Sequence, residues 1–340
     1  MHTFPQRRRP GRIAAAVLTA AMALSLAACG GGKEDSTDKA AADKPAAASD
    51  ASFPRTIKHD KGKTEIKAKP QRVVALDNSL VEAVVALDAP LVGGIGSYRD
   101  QKGFPPYLGD AVKNTKDVGP IASPNLEAIA ALKPDLIVSA TVRHEDLYPQ
   151  LSQIAPTVFV KTTGPIWKEN VTFLGQVLGA EEKAKTQLAA YETRAKKIGD
   201  AINAKVKGKD GKSPATFSVV RFVDGPTRIY LPATFSGIIL KDMGLARPAN
   251  QQDPKEFNIE ISEEQIAQAD ADHIFMTTFS GGEERKKKFL ANPLWKRLGA
   301  VQKGQVHEVD DAVWMTSVSL QGAGLVLDEM AKTFKVDPAK

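Results

Sequence analysis

At 340 residues, with 42% hydrophobic and 25% charged side chains, the chain has the make-up of a globular protein long enough for two ordinary domains. Its single cysteine excludes an intramolecular disulfide. The formal net charge of +6 falls to +2 if four N-terminal arginines are removed with a leader, leaving 42 Lys and Arg against 40 Asp and Glu. The basic residues are interspersed with acidic ones, which argues against nucleic acid as a partner.

Arg7, Arg8, Arg9 and Arg12 form a basic start, followed by an apolar run from Ile13 to Ala27. That run is too short to span a bilayer and reads as the core of a cleavable export signal. It ends in Leu26-Ala27-Ala28-Cys29, which resembles a lipobox: small residues before the cut, then a cysteine that receives a lipid. A free thiol on an exported protein is an oxidation liability, and lipidation of Cys29 removes it. Residues 1–28 are therefore expected to be a signal peptide. Residues 29–52 are dominated by Gly, Ala, Lys, Asp, Ser and Pro without apolar periodicity, as suits a flexible, lipid-anchored tether outside the cytoplasm.

From Phe53 the chain alternates short β-rich runs with helical stretches. Arg72 to Leu76 predicts a strand, Leu80 to Leu87 a helix, and Leu91 to Ile95 a strand. Asn125 to Leu132 follows as a helix, Asp135 to Ser139 as a strand, Asp146 to Ile154 as a helix and Thr157 to Val160 as a strand. Such alternation implies a parallel sheet covered by helices on both faces. It breaks at Trp167 to Leu178 and Glu181 to about Lys205, which read as helices with no strand between them. The second stretch has no Gly or Pro before Gly199 and looks like one long connecting helix. After the loop at Gly208 to Pro214, strands are expected at Thr216 to Phe222, His273 to Thr277 and Val306 to Val309, with a final helix from about Ser319 to Phe334. The fold expected is α/β: lobes at 53–162 and 208–340 joined by a connecting helical region at 163–207.

The two lobes carry a repeated unit. Asn125-Leu126-Glu127-Ala128-Ile129-Ala130 aligns with Ser262-Glu263-Glu264-Gln265-Ile266-Ala267, and Asp135 and Ile137 recur at the same spacing as Asp272 and Ile274. Asn125 and Ser262 are suitable helix caps, and Ser262 with Gln265 can form a capping box. An acidic residue in a first turn is stabilised by the helix dipole wherever it occurs. Its duplication, as Glu127 and Glu264, also suits a two-fold-related partner.

The segment Pro124 to Val138, together with Lys69-Pro70-Gln71-Arg72-Val73-Val74 and Ile154-Ala155-Pro156-Thr157-Val158, resembles the siderophore- and cobalamin-binding family of ABC importer binding proteins. The similarity covers essentially the whole domain; a small departure is Asp88, where the family usually has Gly. The resemblance implies two Rossmann-like lobes bridged by one long helix, with the ligand between them. It also implies that Glu127 and Glu264 dock onto permease arginines, the permease being driven by a cytoplasmic ATPase. Val219-Val220-Arg221-Phe222, Arg228-Ile229-Tyr230, Phe235-Ser236-Gly237 and Asp310-Asp311 with Trp314 resemble the iron-siderophore branch. Cleft residues in the family lie in loops after strands, which nominates Tyr98, Arg143, Trp167, Arg221, Tyr230, Phe279 and Trp314. A guanidinium can hydrogen-bond the oxygens around ferric iron, and aromatic walls suit an aliphatic ligand body. Two arginines and several aromatics favour a hydroxamate complex; cobalamin, haem and ferric catecholate are the alternatives within the family. The chain is expected to be a monomer with no cofactor, iron entering only inside the siderophore.

Other classes fit poorly. His59, His144, His273 and His307 are far apart in sequence, so no close His pair is expected for direct metal capture. There is no GxSxG around Ser236, no HExxH, and no GxGxxG at Gly93 to Gly96, so an exported hydrolase is the distant alternative and no enzyme is expected.

Overall fold

The computed structural model describes residues 52–96, 98 and 102–340; Cys29, the expected leader and nearly all of the expected tether lie outside them. The described chain opens with an antiparallel hairpin, β1 (Arg55–His59) and β2 (Gly62–Ile66), paired Arg55 to Ile66 through His59 to Gly62. The hairpin lies against a sheet strand through Asp60 N to Phe159 O (3.0 Å) and Thr64 Oγ1 to Thr157 O (2.7 Å). The sequence expectations did not include it. Its strands bury few side chains, so periodicity gives little signal.

The first lobe is a parallel sheet in the order β5-β4-β3-β6-β7. Its strands are β3 (Val73–Ala75), β4 (Leu91–Gly94), β5 (Lys116–Asp117), β6 (Leu136–Ala140) and β7 (Thr157–Val160). Strands β3, β6 and β7 are buried at every residue and mostly apolar, as a sheet covered on both faces requires. Helix α1 (Asn78–Ala86) starts where Asp77 accepts from Ser79 N at 2.9 Å. Asp88, just beyond it, has φ of 53°, a left-handed backbone that Gly takes freely and Asp tolerates. Helices α2 (Leu126–Ala131), α3 (Thr141–His144) and α4 (Tyr148–Ile154) complete the lobe.

Two helices then leave the sheet, α5 (Trp167–Leu178) and α6 (Glu181–Lys205). Gly179, at φ 66°, ends α5 with a left-handed cap. The 25 residues of α6 span about 37 Å at 1.5 Å per residue. Gly199 is required in α6 because a Cβ there would lie 1.7 Å from Met243 O.

The second lobe's sheet runs β10-β9-β8-β11-β12. Strands β8 (Phe217–Phe222), β11 (His273–Thr278) and β12 (Val306–Glu308) are parallel, as expected. The edge adds β9 (Thr227–Tyr230), antiparallel to β8, and β10 (Asn258–Ile261), antiparallel to β9, both unforeseen. Helices α7 (Phe235–Asp242), α8 (Glu283–Ala291), α9 (Pro293–Lys296), α10 (Gly299–Gln302) and α11 (Leu320–Phe334) cover it. One hydrophobic core runs through both lobes and the connecting helices, from Val73 and Leu80 through Tyr191 to Phe217 and Met330. No helix among the described residues is long and apolar enough to cross a membrane.

Candidate functional site

In parallel sheets the strands' carboxyl ends open onto crevices where loops can meet a ligand. Here those ends bring side chains of both lobes around a cavity of about 60 Å³ lined in part by Asp77, Tyr98, Arg143, Thr163, Arg221 and Thr316. Asp77 follows β3, Arg143 lies in α3 beyond β6, and Arg221 is the penultimate residue of β8.

Arg221 is the more constrained of the two arginines. Its Nε donates to Asp311 Oδ1 at 2.7 Å and its Nη2 to Oδ2 at 2.6 Å, a bidentate pair. Nη1 donates to the Tyr230 hydroxyl at 3.0 Å, and the guanidinium carbon sits 4.6 Å from the centre of the Phe279 ring. Asp311 is buried and also accepts from Thr277 Oγ1 at 2.8 Å. Asp310 is exposed, so the adjacent acids face different surroundings. Arg143 donates through Nε to Asp77 Oδ2 at 2.9 Å, and Tyr98 stands 6.1 Å from Phe279 ring to ring. His144 Nε2 donates to Ile121 O at 2.6 Å, so its Nδ1 accepts from Ser139 Oγ at 2.8 Å. Burial depresses its pKa, and the ring is a neutral brace under the Arg143 turn.

Residues 73–313 match the family model described as periplasmic binding protein. The chain belongs to that family. A probable siderophore-binding lipoprotein of Bacillus subtilis is 36% identical to it, over 91% of this chain and 94% of the relative. An achromobactin-binding periplasmic protein of Dickeya dadantii is 32% identical, over 77% of this chain and 86% of its own length. The crystal structure of Staphylococcus aureus SirA complexed with staphyloferrin B superposes with a TM-score of 0.75 at 34% identity, covering 84% of this chain and 99% of that one. The resemblance read from Pro124 to Val138 and the two-lobed α/β fold are both borne out.

Of the nominated cleft residues, Tyr98, Arg143, Arg221, Tyr230 and Phe279 come together. The two tryptophans do not. Trp167 is 1% exposed and packs edge-on against Tyr191 and Phe235, with ring centres 5.2 and 5.7 Å away. Trp314 is fully buried, stacked on Phe275 at 4.8 Å, and its Nε1 donates to Glu329 at 2.6 Å. Both belong to the core. The expectation of no close His pair is also corrected: His273 Nδ1 and His307 Nε2 lie 3.3 Å apart across neighbouring strands β11 and β12. They form a packed pair among Phe217, Phe275 and Phe334, and no group of three or more His, Cys, Asp or Glu is placed to hold a metal among the described residues.

Glu82 was missed. It is 1% exposed in α1, and its carboxylate accepts from Tyr107 (2.8 Å), Ser317 (2.6 Å) and Ser319 (2.7 Å), tying the first lobe to the segment before α11. Burial raises its pKa against the pull of these hydroxyls. A lone acid inside the apolar run Leu80 to Leu87 was the available signal. Glu127 and Glu264 are both exposed in first turns, of α2 and of a 3₁₀ helix at Glu263–Ala269. Asn125 caps the former through Ala128 N (2.9 Å), and Gln265 accepts from Ser262 N (3.0 Å) in the latter.

Proposed function

We propose that the chain is the binding component of an ABC importer, capturing an iron(III)–siderophore complex between its lobes and delivering it to a membrane permease. The observation that carries this reading is the convergence of Arg143 and Arg221, one from each lobe, on a single cavity beside Tyr98. The names of the relatives support it, since they denote siderophore-binding and achromobactin-binding proteins rather than enzymes. Arg143, Arg221 and Tyr230 would donate to oxygens of the complex, while Tyr98, backed by buried Phe279, would offer its ring to the ligand body. Glu127 and Glu264 would meet the permease, and Cys29 would hold the protein at the outer face of the cell membrane.

A hydroxamate complex is the ligand class we favour, because the cavity wall combines two cations with the ring of Tyr98, itself backed by Phe279. A hydroxycarboxylate complex is the second reading, favoured by an Fe(3+)-citrate-binding relative of Bacillus subtilis at 31% identity over 76% of this chain and 79% of that protein. Calorimetric titration of the purified protein with ferric hydroxamate, ferric catecholate, ferric citrate, haem and cobalamin tests both. Saturable binding of a ferric chelate is expected, with the metal-free hydroxamate weaker because its oxygens are no longer gathered on one face. A folded protein that binds none of the ferric chelates overturns the reading.

A further inference from the structure

Each lobe builds its arginine into the same device. In the first lobe, buried Asp77 follows β3 and fixes Arg143 through Nε (2.9 Å). In the second, buried Asp311 follows β12 and fixes Arg221 through Nε (2.7 Å) and Nη2 (2.6 Å). Neither acid is free to swing away. Asp77 Oδ1 accepts from Ser79 N at 2.9 Å and from Ser79 Oγ at 2.6 Å. Asp311 accepts from Thr277 at 2.8 Å and from Thr316 at 3.3 Å. Among the described residues lining the cavity, the charged ones are Asp77, Arg143 and Arg221, and Asp311 lies directly behind Arg221.

Two cations and two anions held at contact distance present hydrogen-bond donors without net positive charge. Ligand oxygens can still be bonded by the guanidinium nitrogens that the aspartates leave over. A strongly anionic complex gains little Coulomb attraction from such pairs, because each guanidinium is offset by a carboxylate a few ångströms further away. We infer that Asp77 and Asp311 are positioning residues that set the charge preference of the cleft, so that its ligand is a ferric chelate of low net charge. This rests on the importer reading above and narrows its substrate class.

The test uses Asp77→Asn and Asp311→Asn. Asn removes the charge and keeps one acceptor oxygen, which at position 77 can still cap the helix through Ser79 N while the contact with Arg143 is given up. Affinities for a neutral ferric trihydroxamate and for anionic ferric citrate are measured by calorimetry on the unmodified protein and on each variant. The expected result is a shift of the affinity ratio toward ferric citrate by about tenfold in each variant, the scale of one nearby unscreened charge. The shift should shrink as salt is added. A purely structural role would weaken both ligands together and leave the ratio unchanged, which overturns the inference. Because the two acids lie in different lobes, one variant that folds suffices. Ferric citrate affinity in the unmodified protein should also depend only weakly on ionic strength, and a steep fall with salt overturns the inference without any variant. Failure of the unmodified protein to bind either chelate instead removes the importer reading, and this inference with it.

Discussion

Arg221 is tied to Asp311 by two hydrogen bonds and to Tyr230 by a third, so replacing it removes more than one ligand contact. Arg221→Ala should weaken ferric-complex binding by about 1.5–3 kcal/mol, the range for a hydrogen bond to a charged group. It should also lower the melting temperature, since Asp311 is then buried without its counterion. Arg221→Lys should recover stability only in part, because an ammonium cannot reproduce the bidentate contact. Calorimetry and a thermal melt on the same samples separate the two effects. Unchanged binding in a folded Arg221→Ala protein would move the site away from this cavity.

At the scale of elements, α1 depends on Glu82. Glu82→Ala leaves the hydroxyls of Ser317 and Tyr107 without that acceptor, while Ser319 retains Gln321 Oε1 at 2.8 Å. The expected loss is about 1–3 kcal/mol for each stranded hydroxyl, read as a lower denaturant midpoint. The strand pair β11–β12 carries a pH dependence of its own. Burial, with His307 beside it, holds His273 at about 4, below its ordinary 6.5. The folded state therefore prefers the neutral ring. Its contribution is complete above about 6.5 and is lost as pH falls toward 4. Denaturant midpoints should decline across that window, and His273→Phe should flatten the decline. An identical slope in the variant would assign it to other groups.

For the whole molecule, the continuous core argues for lobes that keep their relation while ligands come and go. Docking then depends on surface groups outside the cleft. Glu127→Arg and Glu264→Arg should leave ligand affinity within error, yet iron-complex uptake by cells should fall sharply, most in the double variant, because like charges would meet at the contact. Normal uptake by the double variant would rule out the docking role. Cys29→Ala should release the protein from membranes without changing affinity, as fractionation and calorimetry would show.

The alternation of strand and helix was legible in the sequence because burial on both faces leaves near-continuous apolar runs at β3, β6 and β7. The limits of α5 and α6 were equally plain, because Gly179 ends one helix locally and the second runs on without a breaker. The family resemblance was carried by contiguous motifs and needed no tertiary information. Hairpin β1–β2 and edge strands β9 and β10 were not legible, since short, half-buried strands leave little periodic signal. The site divided in the same way. That Arg143, Arg221, Tyr98 and Phe279 follow or end strands could be read along the chain. Their partners could not. Arg221 meets Asp311, 90 residues on, only because β8 and β12 flank β11, and His273 meets His307 for the same reason. A tryptophan at a helix start reads alike whether it faces a cleft or a core; only packing against Tyr191 and Phe275 placed Trp167 and Trp314 inside. Sequence by itself determined the fold class and the family. Which charges neutralise one another was decided by strand order, which brings distant residues together.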